Sequence, residues 1–298
     1  MAPLHLLFVL FIDLCWAMNI IAVKVAVDAT GPLTAVTLRY GIALLVTLPF
    51  IRWVPGRMKL VLTTALLAGA VFMLFVNVSL SVTENVAALA IAGQVGAPFS
   101  LILAVIFLGE RIRWVRITGV ALAFLGICIM GFDPAIWTER LGVGLTVISS
   151  FFWAIGSLLF RRLQGVHVLN IHGWLALVSV PVLGVASLVF EPGGLAAAPA
   201  LPGSVWAWIG FSAIFSSLVG HAGMSWLLQH YPVTTIVPLT LPTPLLSAAI
   251  AVFYFDNPVT MGLVIGAIVS FAGVAIITLR SAEKEPEIAE AWVKRARR

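Results

Sequence analysis

The sequence repeats itself at long range, and the repeated unit is suited to a lipid bilayer. Trp16-Ala17 precedes Lys24 at the spacing with which Trp153-Ala154 precedes Arg161. Gly96-Ala97-Pro98 leads to Glu110 as Pro242-Thr243-Pro244 leads to Asp256. A glycine pair seven residues apart follows in each copy, Gly119 with Gly126 and Gly266 with Gly273. Between these marks run apolar stretches of about 20 residues, each long enough to span a membrane as a helix. A unit with an odd number of spans inverts on repetition, so the two copies are expected to lie in opposite senses, with a substrate site between them.

Composition selects the solvent. The chain has 298 residues, 61% hydrophobic and 10% charged, against about 25% charged in soluble domains. The runs predict spans at 4–26, 32–52, 58–82, 85–108, 112–132, 140–162, 167–190, 204–228, 232–254 and 258–280, with ends uncertain by roughly two to four residues. The expected fold class is an all-α membrane protein, ten transmembrane helices forming two inverted five-helix repeats around a central cavity. Residues 1–135 form the first repeat, 136–282 the second, and 283–298 a charged cytoplasmic tail. The opening run carries Asp13 and lacks a basic leader and a cleavage signal, so it is expected to be a retained first helix. Cys15 and Cys128 fall inside spans and are expected to be buried as small hydrophobes.

Basic loops stay cytoplasmic. With the N-terminus inside, the inner segments carry Arg52, Arg57, Lys59, Arg111, Arg113, Arg116, Arg161, Arg162 and six further basic residues from Arg280 onward, while the outer segments carry Lys24 and Arg140. Both termini are therefore expected in the cytoplasm. The net charge of +5 is topological and signals no nucleic-acid partner. The tail runs acidic then basic around Trp292, which fits either a solvated tail or a short interfacial helix on anionic lipid.

Ionisable groups at bilayer depth are costly and mark functional candidates. Asp13 lies in the middle of the first run, and Asp13, Trp16 and Asn19 fall within one arc of roughly 120° on a helix; lining a polar cavity and bonding to a neighbouring helix are the two roles open to Asp13. Arg39 suits either a carboxylate partner or snorkelling to the surface. Gln94 stands four residues before Pro98, whose ring removes a helix hydrogen bond. The ninth span holds Pro238, Pro242 and Pro244 and is expected to kink or unwind. Broken backbone at this depth survives only within protein or beside a wet cavity. Asn77, Trp153, Ser157 and His221 complete the expected substrate-binding set; for His221 a bonded structural role is the alternative, and for the serines close helix packing is. Glu110 and Asp256 read as boundary residues. The copies differ where Asp13 faces Ser150, Asn19 faces Gly156 and Gln94 faces Thr240, so substrate chemistry is expected mainly in the first copy.

No phosphate-binding loop, zinc-protease motif, serine-nucleophile elbow or cysteine cluster occurs, so neither direct ATP use, a metal, a cofactor nor enzymatic activity is expected.

The chain resembles the drug/metabolite transporter superfamily, specifically its ten-helix EamA type. The marks are Trp16-Ala17-x-Asn19 with Lys24, Leu38-Arg39-Tyr40, Leu108-Gly109-Glu110-Arg111, the spaced glycines after it, and Phe152-Trp153-Ala154 with Arg161-Arg162. Gln94, Ser217-Leu218-Val219-Gly220 and the ninth-span prolines fall in regions similar to the cysteine/O-acetylserine exporter. The chain departs from the family with Trp-Ala for Trp-Gly in the first copy and Asp256-Asn257 for Glu-Arg in the second. The resemblance implies a bacterial inner-membrane exporter of amino acids or related metabolites, working by alternating access. Its partners would be a small-molecule substrate and the lipid bilayer; Asp13 offers a site for proton exchange, whereas downhill export would need no proton. The sequence shows no clear dimer device, so a monomer is expected. Export of drugs or toxic cations is the nearest alternative, and a membrane enzyme or sensor the more distant one.

Overall fold

In hydrocarbon every backbone N–H and C=O must be satisfied within the chain, and a helix does this locally. The computed structural model describes residues 3–108, 114–132, 137–230, 237–240 and 242–282, and among these all regular structure is helical. The helices are α1 (Pro3–Thr30), α2 (Pro32–Thr47), α3 (Met58–Ser81), α4 (Val86–Phe107), α5 (Trp114–Gly131), α6 (Arg140–Arg162), α7 (Val168–Phe190), α8 (Gly203–Phe211 continuing through Ser212–Gly220 to His230), α9 (Thr243–Phe255) and α10 (Met261–Ala282). Eight of the helical stretches are long and apolar enough to cross a membrane; two apolar helices are shorter, Ile117–Met130 within α5 and Thr243–Phe255. Glu110, the span start at 232–236 and the tail 283–298 lie outside the described residues.

Four helices are not uniform. α3 widens to π-helical bonding over Ala65–Val71, and α8 does so over Ser212–Gly220. Ser212 lies 147 residues beyond Ala65, the offset that also separates Gly119 from Gly266. α4 tightens to a 3-10 turn over Gly93–Val95, just before Pro98. Ahead of α9 the chain makes a 3-10 turn over Val237–Thr240, which holds Pro238, and Pro242 then caps the helix at Thr243. These proline-adjacent breaks follow from the missing N–H and the clash of each ring with the preceding turn.

The contact between α5 and α10 is made by the spaced glycines. A Cβ on Gly119 would stand 2.9 Å from Gly273 O, and one on Gly266 would stand 2.6 Å from Gly126 O. The helices therefore run antiparallel and touch backbone to backbone, as small residues permit.

One end of the bundle is fastened by polar side chains that satisfy helix termini. Glu191, after α7, accepts hydrogen bonds from Leu33 N (2.8 Å), Thr34 N (2.7 Å) and Thr34 Oγ1 (2.7 Å), capping α2. Gly31, the single residue joining α1 to α2, has φ 89° and leaves no room for a Cβ beside that carboxylate. Glu139 accepts from Glu84 N and Asn85 N at the start of α4. Asn257, after α9, accepts from Ala87 N and donates to Glu84 O. Asp256, at the end of α9, has φ 51°, as a helix-terminating residue does. The largest buried apolar cluster lies at this same end, built on Val23, Val27, Leu80, Val86, Ile91 and Ile209 among others.

One expectation is extended and one is corrected. The first helix runs beyond the expected span end at 26, to Thr30, and Lys24, counted with the outer segments, is buried within it, donating to Leu80 O (2.9 Å) and pairing with Asp28 (2.8 Å). The i,i+4 ion pair and the carbonyl partner carry the helix past its apolar run. Cys15 is buried as expected, but Cys128 is exposed on the outside of the bundle, because α5 turns that face away from its glycine contact with α10.

Candidate functional site

Polar side chains from α1, α2, α8 and α9 meet inside the bundle in three levels set by successive turns of α1. At the first, Asp13 is 1% exposed. Its Oδ1 accepts a hydrogen bond from Thr243 Oγ1 (2.8 Å), at the first turn of α9. Its Oδ2 is buried without a partner among the described residues. The break before α9 creates this contact, since Thr243 sits at a helix N-terminus, where positive peptide charge favours a carboxylate.

At the second level the N–H edge of the Trp16 indole abuts Gly220, which leaves no space for a Cβ. Its Nε1 donates to Ser216 O (3.2 Å). This carbonyl belongs to the π-helical stretch of α8, where the wider turn leaves backbone oxygen free for such a bond. His221 follows directly. Its ring centroid is 5.5 Å from Trp16, 5.8 Å from Trp153 and 5.4 Å from His172 of α7, the two imidazoles lying within 16° of parallel. Phe72 and Phe160 flank Trp153. The equivalent tryptophans of the two copies thus stand around one imidazole.

At the third level Ser212 Oγ donates to Asn19 Oδ1 (2.7 Å), and Ser217 Oγ donates to Ser212 O (3.1 Å). Arg39, 4% exposed, directs Nε (3.2 Å) and Nη2 (2.8 Å) to Ser217 Oγ. Among the described residues the one ion pair is Lys24–Asp28, so neither Asp13 nor Arg39 has a charged partner there. Arg39 does not snorkel.

The remaining expected residues divide. Gln94 is buried in the 3-10 turn of α4 with Nε2 unpartnered, while Gly93 O beside it accepts from Ser150 Oγ (3.2 Å). Asn77 donates to Met73 O and Ser157 to Trp153 O, each within its own helix. They are satisfied locally and do not join the network. Thr243, Ser212 and His172 join it but were not singled out by sequence. The Pro-Thr-Pro motif carried a signal for Thr243; no spacing rule pointed to the other two. No group of three or more metal-ligand side chains occurs among the described residues.

Apolar helices able to cross a membrane several times, around buried polar groups from separate helices, define a multi-pass membrane protein with the features of a small-molecule transporter. The chain belongs to the EamA-like transporter family, whose pattern matches twice, over residues 4–132 and 140–279. It is 25% identical over 281 residues to a probable amino-acid metabolite efflux pump of Escherichia coli, covering 90% of this chain and 92% of that one. It is 24% identical to the protein of the same description in Salmonella typhimurium, again over 90% of this chain and 92% of the relative. An uncharacterized transporter of Archaeoglobus fulgidus is also 24% identical, over 88% of this chain and 94% of its own length. A solved crystal structure, 17% identical, matches the fold with a TM-score of 0.64 over 96% of this chain and 100% of that one.

Proposed function

We propose that the protein exports amino acids or related small metabolites across the bacterial inner membrane, as a monomer working by alternating access. The observation that carries this reading is the pair of buried charges, Asp13 and Arg39, held on separate helices without counter-ions among the described residues. Such groups are expensive in a membrane protein unless a substrate or ion uses them. The two similar efflux pumps support the substrate class and direction.

The machine in this reading is ten spans in two inverted halves, residues 1–135 and 136–282, with both termini cytoplasmic and the tail 283–298 beyond them. Support comes from the double family match, the antiparallel glycine contact of α5 with α10, and the paired π-helical stretches of α3 and α8. The capped, apolar end of the bundle is the outer gate in its closed position. The helix breaks at Pro98 and around Pro238, Pro242 and Pro244 are the bending points, and Asp13, Trp16, Asn19, Arg39, Gln94, Trp153 and His221 line the path. Asn77 and Ser157 serve helix packing beside it.

Export of organic cations is the second reading, favoured by Asp13 beside the aromatic side chains, whose faces attract positive charge. Proteoliposome uptake decides. Labelled amino acids accumulating above the empty-liposome level support the first reading, whereas quaternary amines moving in their place support the second. Proton coupling is tested with Asp13→Asn: loss of pH-dependent transport with exchange retained assigns the proton to Asp13, and an unchanged pH profile removes it.

A further inference from the structure

The two buried charges of the site have no counter-ion among the described residues and are held at different heights, and that separation selects among amino acids. Asp13 and Asn19 lie six residues apart on α1, about 9 Å along the axis at 1.5 Å per residue. Arg39 is linked towards Asn19 through Ser217, whose hydroxyl donates to the backbone carbonyl of Ser212, the residue whose side chain holds Asn19. Asp13 belongs to the level two turns away, tied to Thr243. The guanidinium offers five N–H donors and directs two of its nitrogens to one serine hydroxyl. Asp13 presents Oδ2 with nothing to receive. A buried charge left in this state favours a ligand of opposite sign.

We propose that the substrate is an amino acid whose side chain ends in a cation, bound with its α-carboxylate at Arg39 and its side-chain ammonium or guanidinium at Asp13. This rests on the transport reading and adds the substrate class. An amino acid with a short or neutral side chain carries both charges on one carbon, and cannot reach two levels of the helix together. A lysine- or arginine-length stem spans the gap. Trp16 lies midway on the same face of α1, fixed by Ser216 and Gly220, where its ring covers the stem's methylenes. Asn19 Oδ1, which already accepts from Ser212, has a second lone pair for the α-ammonium. A diamine would satisfy Asp13 and leave Arg39 bare. A neutral amino acid would do the reverse.

The test uses the purified full-length protein in detergent with L-lysine, L-arginine, L-leucine and 1,5-diaminopentane, read by thermal shift and equilibrium binding. Lysine and arginine are expected to bind on the order of tenfold tighter than leucine or the diamine, the scale of one added charge-assisted contact. In Asp13→Asn the ratio of lysine to leucine affinity is expected to fall to about one, with leucine binding kept. Leucine or the diamine binding wild type as tightly as lysine overturns the proposal, as does an Asp13→Asn variant that keeps the lysine preference. The wild-type panel decides alone where the variant fails to fold. Neutral amino acids entering proteoliposomes without a lysine preference overturn this inference and leave the transport reading standing. No amino acid binding or entering overturns both.

Discussion

Thr243 donates a 2.8 Å hydrogen bond to Asp13, and with it the first turn of α9 is tied to the middle of α1. The bond exists because the chain breaks before Thr243. An uninterrupted helix would spend that turn on its own ladder and carry no free N-terminus towards the carboxylate.

Thr243→Val keeps the shape of the side chain and deletes the donor. Both carboxylate oxygens of Asp13 are then buried without a described partner. The expected cost is about 1–3 kcal/mol of stability, read as a lowered melting temperature in detergent. A melting temperature equal to wild type would show that the bond contributes nothing to the fold.

Glu191 serves the N-terminus of α2 through three hydrogen bonds. Glu191→Ala leaves Leu33 N and Thr34 N open and is expected to destabilise by about 0.5–2 kcal/mol. Glu191→Gln keeps one acceptor and should fall between. Chemical denaturation of the three proteins gives the order, and Gln no better than Ala would argue against the capping role.

Eight of the ten expected spans were legible because apolar runs of bilayer length have few other uses, and the breaks in α4 and before α9 were legible because proline cannot donate. Trp16 and Trp153 stood out by their equal placement in the two copies. The cross-helix partners were not legible. Helical periodicity assigns Ser212, Ser217 and His172 to a face, but which helix meets that face depends on rotation and crossing angle, which a single sequence does not encode. The burial of Lys24 was not legible for a related reason: a charge at the outer end of a span shows its burial only once Leu80 O and Asp28 supply its partners. Cys128 is exposed although its run is apolar, because depth in the membrane and orientation within the bundle are separate properties.

Glycine positions give a matched pair of outcomes. Gly126→Leu forces a side chain into Ser270 and the backbone of Gly266. No rotamer relieves a clash with backbone, so a loss above about 3 kcal/mol is expected, read as aggregated protein on size-exclusion chromatography. Gly41, inside α2, has nothing within 4 Å of a built Cβ. Gly41→Ala should stabilise by roughly 0.5–1 kcal/mol through helix propensity. A monodisperse Gly126→Leu protein with wild-type melting would contradict the contact.

Arg39→Lys tests the forked donor geometry. A lysine keeps the charge but cannot aim two fixed N–H groups at Ser217 and still present others. Amino-acid binding is expected to weaken on the order of tenfold, with Arg39→Gln weaker again, both measured by titration. Equal affinity in all three proteins would remove Arg39 from the carboxylate-binding role.

The meeting of α5 and α10 has a mechanical meaning. With backbone against backbone at Gly119, Gly126, Gly266 and Gly273, and with Ile277, Ser270 and Met130 packed beside them, the two helices cannot be drawn closer. In the alternating-access reading proposed above, rearrangement elsewhere in the bundle would swing about this contact, with these glycines as its fulcrum and the broken helices α4 and α9 as its levers.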